Sequence, residues 1–127
     1  LDPADDFIRI ELNIEFDTDR ATIRNADYDE LAEVIRLIES VPTSTAVVEG
    51  HADKRKTSKR DYNQRLSERR ANTVRQYILD NSTVIDASRI EAKGFGFERP
   101  LVPNTTEENM QKNRRVEIYI NRNSPVE

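Results

Sequence analysis

The stretch that decides the fold is YNQRLSERRANTVRQYI, residues 62–78. Tyr62, Leu66, Arg70, Val74 and Ile78 follow one another at steps of four residues. Side chains spaced in this way lie on one face of an α-helix. The stretch therefore predicts an amphipathic helix over about residues 60–80, with this stripe packed against a core.

The segments on either side alternate between strand and helix patterns. Residues 7–16 alternate apolar and polar side chains, which is typical of a half-buried strand. The remaining patterns predict a helix over 26–40 capped by Asn25, strands over 46–49, 89–93 and 116–120, and a short helix over 105–113 with a Thr105–Glu108 capping box.

These elements predict an α/β fold of the order β-α-β-α-β-β, with a short helix before the last strand. Strands separated by helices favour parallel crossovers. Two long helices can cover only one face of a four-stranded mixed sheet, which makes a two-layer sandwich. We expect one domain over residues 1–127 with its core over about 7–121, as a mature fragment or an excised domain.

Composition excludes several classes of function. The net charge is -4 with 35% charged residues, so the chain lacks the basic footprint of a nucleic-acid or anionic-membrane binder. Cysteine is absent, which removes disulfides and thiolate metal sites. No apolar run approaches the ~18 residues of a membrane span.

Arg70 is the unusual member of the helical stripe, because a guanidinium is costly to bury without an acidic partner. Its position has two interpretations. The first is an internal salt bridge or a stem that snorkels to solvent. The second is a contact with an anionic ligand.

Asp53 is the second candidate, because the segment Glu49–Asp53 lies at the carboxyl end of a predicted strand, where ligands of open α/β sheets bind. An aspartate there can hold an ammonium group or simply cap a turn. An Asp and an Arg on facing elements could bind the two ends of a zwitterionic amino acid. His51 is the sole histidine and cannot form a typical zinc site unless Asp or Glu supply the other ligands, so we expect it to pack or hydrogen-bond beside the site.

Five segments in order resemble the OmpA C-terminal domain family, which includes the Pal lipoproteins and the flagellar stator protein MotB. Residues 63–74, NQRLSERRANTV, match the signature N-x-x-L-S-x-x-R-A-x-x-V at every fixed position. The others are FDTDRATI at 16–23, EGHAD at 49–53, KGFGFERP at 93–100 and NRRVE at 113–117.

The resemblance implies that the chain binds the diaminopimelate residue of the peptidoglycan stem peptide in the periplasm of a Gram-negative bacterium. It implies that Asp53 holds the ammonium group and that Arg70 holds the carboxylate. In the empty site, Asp53 would neutralise Arg70. The implied neighbours of the site are Thr18 and Asp19, with Asn63, Leu66 and Val74 as lining or support. The chain would be the C-terminal fragment of a larger, membrane-anchored envelope protein that it tethers to the cell wall, and no cofactor or metal is implied.

Departures from the family pattern lead to further expectations. The loop over residues 54–62 lacks glycine and carries five basic residues, which we interpret as a solvated surface run, although they could attract anionic ligands.

Strand alternation predicts that Arg115 faces outward and that Arg114 faces inward toward an acid, with Glu49 as one candidate.

Two other functions are alternatives to wall binding. A purely structural module for assembling a flagellar stator or a secretion apparatus is the main alternative. Enzymatic activity is not expected, because no serine lies in a recognisable nucleophile elbow and the His51–Asp53 pair has no further support.

Overall fold

The protein is described here from a computed structural model covering residues 7–122, with side chains described from residue 14 onward. Its elements are β1 (Phe7–Glu15), α1 (Tyr28–Ser40), β2 (Thr45–Gly50), α2 (Arg60–Asp80), β3 (Ile90–Gly94), α3 (Glu107–Asn113) and β4 (Arg115–Asn121). Short 3-10 turns precede α1 and β3, at Asn25–Asp27 and Ala87–Arg89. None of the described helices combines the length and apolarity that a membrane crossing needs.

The four strands form one mixed sheet in the order β1-β4-β2-β3. β2 and β3 are parallel neighbours, as expected for strands joined by a helix, whereas β4 lies between β1 and β2 and is antiparallel to both. The α/β class and the mixed four-stranded sheet are confirmed. The pairing of β1 with β4 shifts register between Ile10 and Ile14, an irregularity that simple alternation did not predict. The alternation at Ile8, Ile10 and Leu12 lies outside the residues whose side chains are described.

Two predicted helix caps are wrong. Asn25 begins the 3-10 turn, and α1 starts after Asp27 without a side-chain cap. The cap of α3 is Thr106, one residue beyond the predicted Thr105, because the Thr106 hydroxyl accepts a hydrogen bond from the Asn109 N–H at 3.1 Å.

The core lies between one face of the sheet and the two long helices. The inward side chains of α1 and α2 pack there against those of the strands. The buried side chains are Ile14, Phe16, Leu31, Val34, Ile35, Ile38, Ala46, Val48, Ala71, Val74, Ile78, Val116, Ile118 and Ile120. Their burial is the main driving force for the fold.

Close packing of α2 on β2 depends on Gly50. A Cβ atom at this position would lie 2.0 Å from the backbone carbonyl oxygen of Ser67. The absent side chain lets the helix pass directly over the carboxyl end of β2, which brings Arg70 next to the backbone of His51.

The opposite face of the sheet carries polar side chains from β2 and β4. Arg115 has the predicted phase, opposite to that of the buried Val116, but the expectation that it faces solvent is wrong. Its Nε donates to Oε2 of Glu117 at 2.6 Å and its Nη2 donates to the Arg99 carbonyl at 3.1 Å. The loop after β3 therefore covers Arg115.

Candidate functional site

Arg70 is fully buried on the inner face of α2. Its guanidinium donates to three backbone carbonyls: Nε to Arg20 at 2.8 Å, Nη1 to His51 at 3.0 Å and Nη2 to Asp17 at 3.2 Å. Arg70 thus ties the loop after β1 to the end of β2. Burial lowers the pKa of Arg70 to about 10, which still leaves it cationic at neutral pH.

The expected neutralisation of Arg70 by Asp53 is not made by direct contact. Within the described residues, no carboxylate lies in ion-pair distance of Arg70, and the internal salt bridge considered from the sequence is likewise not formed. The negative charge of Asp53 nevertheless raises the pKa of Arg70, and it is the largest contribution from a charged residue. The two side chains therefore interact through space.

Asp53 is almost fully buried, with 7% of its surface exposed, and one of its oxygens is held by two arginines. Oδ2 accepts from Nη1 of Arg114 at 2.7 Å and lies 3.2 Å from Nη2 of Arg55. Oδ1 accepts no hydrogen bond from the described side chains or backbone. The inward phase predicted for Arg114 is correct, but its acidic partner is Asp53 and not Glu49.

Arg55 connects three segments at the edge of this site. Its guanidinium meets the Glu107 carboxylate through two contacts of 2.9 Å, and Nη2 also donates to the Thr18 hydroxyl at 3.4 Å. The hydrogen bond from Arg55 lowers the pKa of Glu107. The interpretation of the basic segment as a solvated surface run is therefore wrong for Arg55, although Lys54, Lys56, Lys59 and Arg60 are exposed.

A cleft of about 470 Å³ opens beside Asp53. Thr18, Asp19, Asp53 and Asn63 line it, together with Arg55 and Tyr62 on its rim. The structure thus brings together four of the seven residues predicted for the site.

The other three predicted residues do not line the cleft. Leu66 and Val74 are packed in the protein interior. Arg70 lies close to the cleft, because it binds the backbone on either side of the cleft residue Asp19 and the charges of Asp53 and Asp19 act on its guanidinium.

The backbone of Asp19 adopts a left-handed conformation, with φ of 59°. This conformation is unusual for a residue other than glycine and tends to occur at functional sites. The carbonyls on either side of Asp19, from Asp17 and Arg20, are the ones that Arg70 binds. Arg70 therefore fixes the turn that presents Thr18 and Asp19 to the cleft.

Comparison with known proteins agrees with this architecture. The profile of the OmpA family matches residues 15–114. The chain belongs to the OmpA family. Outer membrane porin F of Pseudomonas aeruginosa is 37% identical over 113 residues, which cover 89% of this chain and 31% of the porin. This OmpA-family chain thus spans about a third of the length of that relative.

Two solved structures have the same fold. The cell wall anchor of the T6SS from Pseudomonas aeruginosa is 28% identical with a TM-score of 0.72, covering 91% of the OmpA-family chain and 80% of the anchor. The peptidoglycan-associated lipoprotein from Burkholderia pseudomallei has a TM-score of 0.77 at 22% identity, covering 84% and 87% of the two chains. The second likeness is evidence of fold alone.

The sequence did not identify every residue that contacts Asp53 or surrounds the cleft. The pairing of Arg114 with Asp53 joins residues 61 positions apart, so only the inward phase of Arg114 could be found from the sequence. Arg55 gave no signal beyond its place in a basic segment. Glu107 gave none, because an acidic residue in the first turn of a helix has an ordinary role there.

Proposed function

We propose that this OmpA-family domain binds the diaminopimelate-containing stem peptide of peptidoglycan without chemical conversion, and so tethers a larger envelope protein to the cell wall from the periplasm. Family membership supports wall association, since a cell wall anchor is among the similar solved structures. The observation on which the proposal depends is the arrangement of Asp53 and Arg70: an open carboxylate oxygen beside a cleft and a buried cation beneath it.

The ammonium group of the ligand would bind Asp53. Arg114 and Arg55 hold Oδ2 and fix the orientation of the carboxylate, while Oδ1 is left for a further donor. Because the carboxylate is already held in place, a charge-assisted hydrogen bond to it does not cost the entropy of ordering the Asp53 side chain on binding.

The carboxylate of the ligand would bind Arg70. A guanidinium has five N–H donors, and three bonds to carbonyls leave one N–H on each of Nη1 and Nη2. Two such N–H groups match the fork geometry of a carboxylate, which a lysine cannot reproduce. Because Arg70 is fully buried, a ligand carboxylate reaches it only if the residues that cover it move aside.

A tether of this kind can bind weakly at each site. Two charge contacts in an open cleft suggest a Kd on the order of micromolar to millimolar. Many copies acting on one polymeric wall would raise the overall attachment well above this affinity.

Isothermal titration with defined stem peptides tests the proposal. A peptide containing diaminopimelate should bind, whereas one with lysine at that position should bind at least about tenfold more weakly, because lysine lacks the carboxylate that Arg70 would hold. Asp53→Asn should abolish binding. Asp61→Asn is the matched control, because Asp61 is exposed in the first turn of α2 and does not line the cleft.

Equal affinity for the two peptides would remove Arg70 from the site, and normal binding by Asp53→Asn would remove Asp53.

A pulldown with purified sacculi separates the two candidate functions. Retention on the wall supports the tether, and no retention favours the assembly module.

A further inference from the structure

A second polar cluster lies on the sheet face opposite the two long helices. Its members are Glu49 and His51 of the β2 segment and Glu117 of β4, and their potential ligand atoms all lie within 4.8 Å of one another. The wall-binding proposal does not use these side chains.

His51 is buried without a hydrogen-bond partner. The residue is 1% exposed, and neither Nδ1 nor Nε2 has a partner within the described part of the chain. Its ring stacks on Phe95 with centroids 5.6 Å apart, which fixes its plane. Nε2 lies 3.7 Å from Oε1 of Glu49, too far for a hydrogen bond, so a buried polar group needs a further partner.

The two carboxylates of the cluster give a second, independent indication that it has a further partner. Glu49 and Glu117 are directly paired across β2 and β4. Like charges directly opposite each other destabilise a sheet, and here Arg115 pairs with Glu117 but makes no hydrogen bond or ion pair with Glu49 within the described residues. The side chain of Glu49 is only 15% exposed, and burial together with the Glu117 charge raises its pKa.

We propose that Glu49, His51 and Glu117 form a binding site for a divalent first-row transition metal, zinc in particular. Imidazole nitrogen and carboxylate oxygen are both zinc donors, and a water molecule would complete the tetrahedron. Donor atoms on one zinc lie about 3.4 Å apart at tetrahedral geometry, so a cluster whose ligand atoms lie within 4.8 Å of one another must contract by up to about 1.4 Å.

The surroundings of the cluster support this role. Arg115 and Tyr119 both donate to Glu117, at 2.6 and 2.9 Å, and thus orient its carboxylate as outer-shell partners of metal ligands do. The charged groups that face His51 are Glu49, Glu117, Arg99 and Arg115.

The composition of the chain makes the test unambiguous. The chain has one histidine and no cysteine, so any zinc bound through an imidazole is bound by His51. The full chain, stripped of metal with a chelator, is titrated with Zn²⁺ at neutral pH, with heat measured by calorimetry and the imidazole resonances followed by NMR. One equivalent should shift the His51 resonances to saturation.

Glu49→Gln should weaken zinc binding by at least about tenfold, the loss found even for outer-shell partners. Glu91→Gln is the matched control, because Glu91 lies on the same sheet face, makes the same charge change and pairs only with Lys93 within the described residues. Unchanged imidazole resonances in excess zinc would overturn the proposal. Equal losses in the two variants, or no loss in Glu49→Gln, would overturn it as well. The wild-type NMR measurement needs no variant, and its failure would leave the wall-binding cleft untouched.

Discussion

Replacement of Arg70 by lysine should destabilise the fold and abolish wall binding together. Lysine keeps the charge and the apolar stem, but its single nitrogen cannot reach the carbonyls of Asp17, Arg20 and His51 from one position. We expect one of the three hydrogen bonds to survive. Each lost hydrogen bond to a charged donor costs about 1.5 kcal/mol, so the free energy of unfolding should fall by about 3 kcal/mol.

For a domain of this size, 1 kcal/mol corresponds to roughly 4 °C in Tm, so Arg70→Lys should melt about 12 °C lower. Thermal unfolding followed by circular dichroism measures this shift. Stem-peptide affinity is then measured by calorimetry well below the Tm of the variant, so that loss of binding is not a consequence of unfolding.

Arg69→Lys is the control for this prediction. Arg69 is the neighbouring residue on α2 and is exposed, so Arg69→Lys makes the same chemical change away from the three carbonyls that Arg70 binds. If Arg70→Lys matched Arg69→Lys in both Tm and affinity, the three carbonyl contacts would not stabilise the fold and Arg70 would not belong to the site.

Three further predictions follow from the same structure. The pKa of His51 is about 4 in the folded protein and near 6.5 in the unfolded chain. Between these pH values the unfolded state binds more protons, so the free energy of unfolding should fall as the pH drops from 6.5 to 4. The loss should approach about 3 kcal/mol in urea titrations with chelator present, and His51→Gln should flatten this pH dependence. Asp19→Ala should be about 1 kcal/mol less stable than Asp19→Gly, since alanine is strained at φ of 59° and glycine is not; equal urea midpoints would contradict this. Gly50→Ala should cost about 3 kcal/mol or more, because the new methyl would overlap the Ser67 carbonyl, and a wild-type Tm would show that α2 does not pack as closely as described.

The sequence determined most of the secondary structure. Periodicity alone predicted α2 at the bounds that the structure has, Arg60–Asp80, because a long stripe at steps of four residues has no other low-energy arrangement. The bounds of β2 and β4 were predicted to within one residue. Helix caps were predicted less well, because the choice between Thr105 and Thr106 depends on which residue adopts an extended backbone.

Arg70 was marked as unusual by its place on an apolar stripe, and the family motifs marked Asp53. Their partners could not be found from the sequence. The bonds from Arg70 go to backbone carbonyls, which every residue carries, so no residue pattern identifies them. Arg114 reaches Oδ2 of Asp53 from 61 positions away, and Arg55, two residues after Asp53, contacts the same oxygen. Only the packed chain decides that these contacts form.

The sequence by itself thus determined the order of the elements, the inward face of each long helix and the two charged residues that require an explanation. The tertiary structure alone decided that Arg70 is bound to carbonyls beneath the cleft, that Asp53 keeps one oxygen open, and that Glu49, His51 and Glu117 meet on the far face of the sheet. The physical reason is that periodicity is a local property of the chain, whereas the partner of a buried charge is set by strand order and by the register between strands distant in sequence.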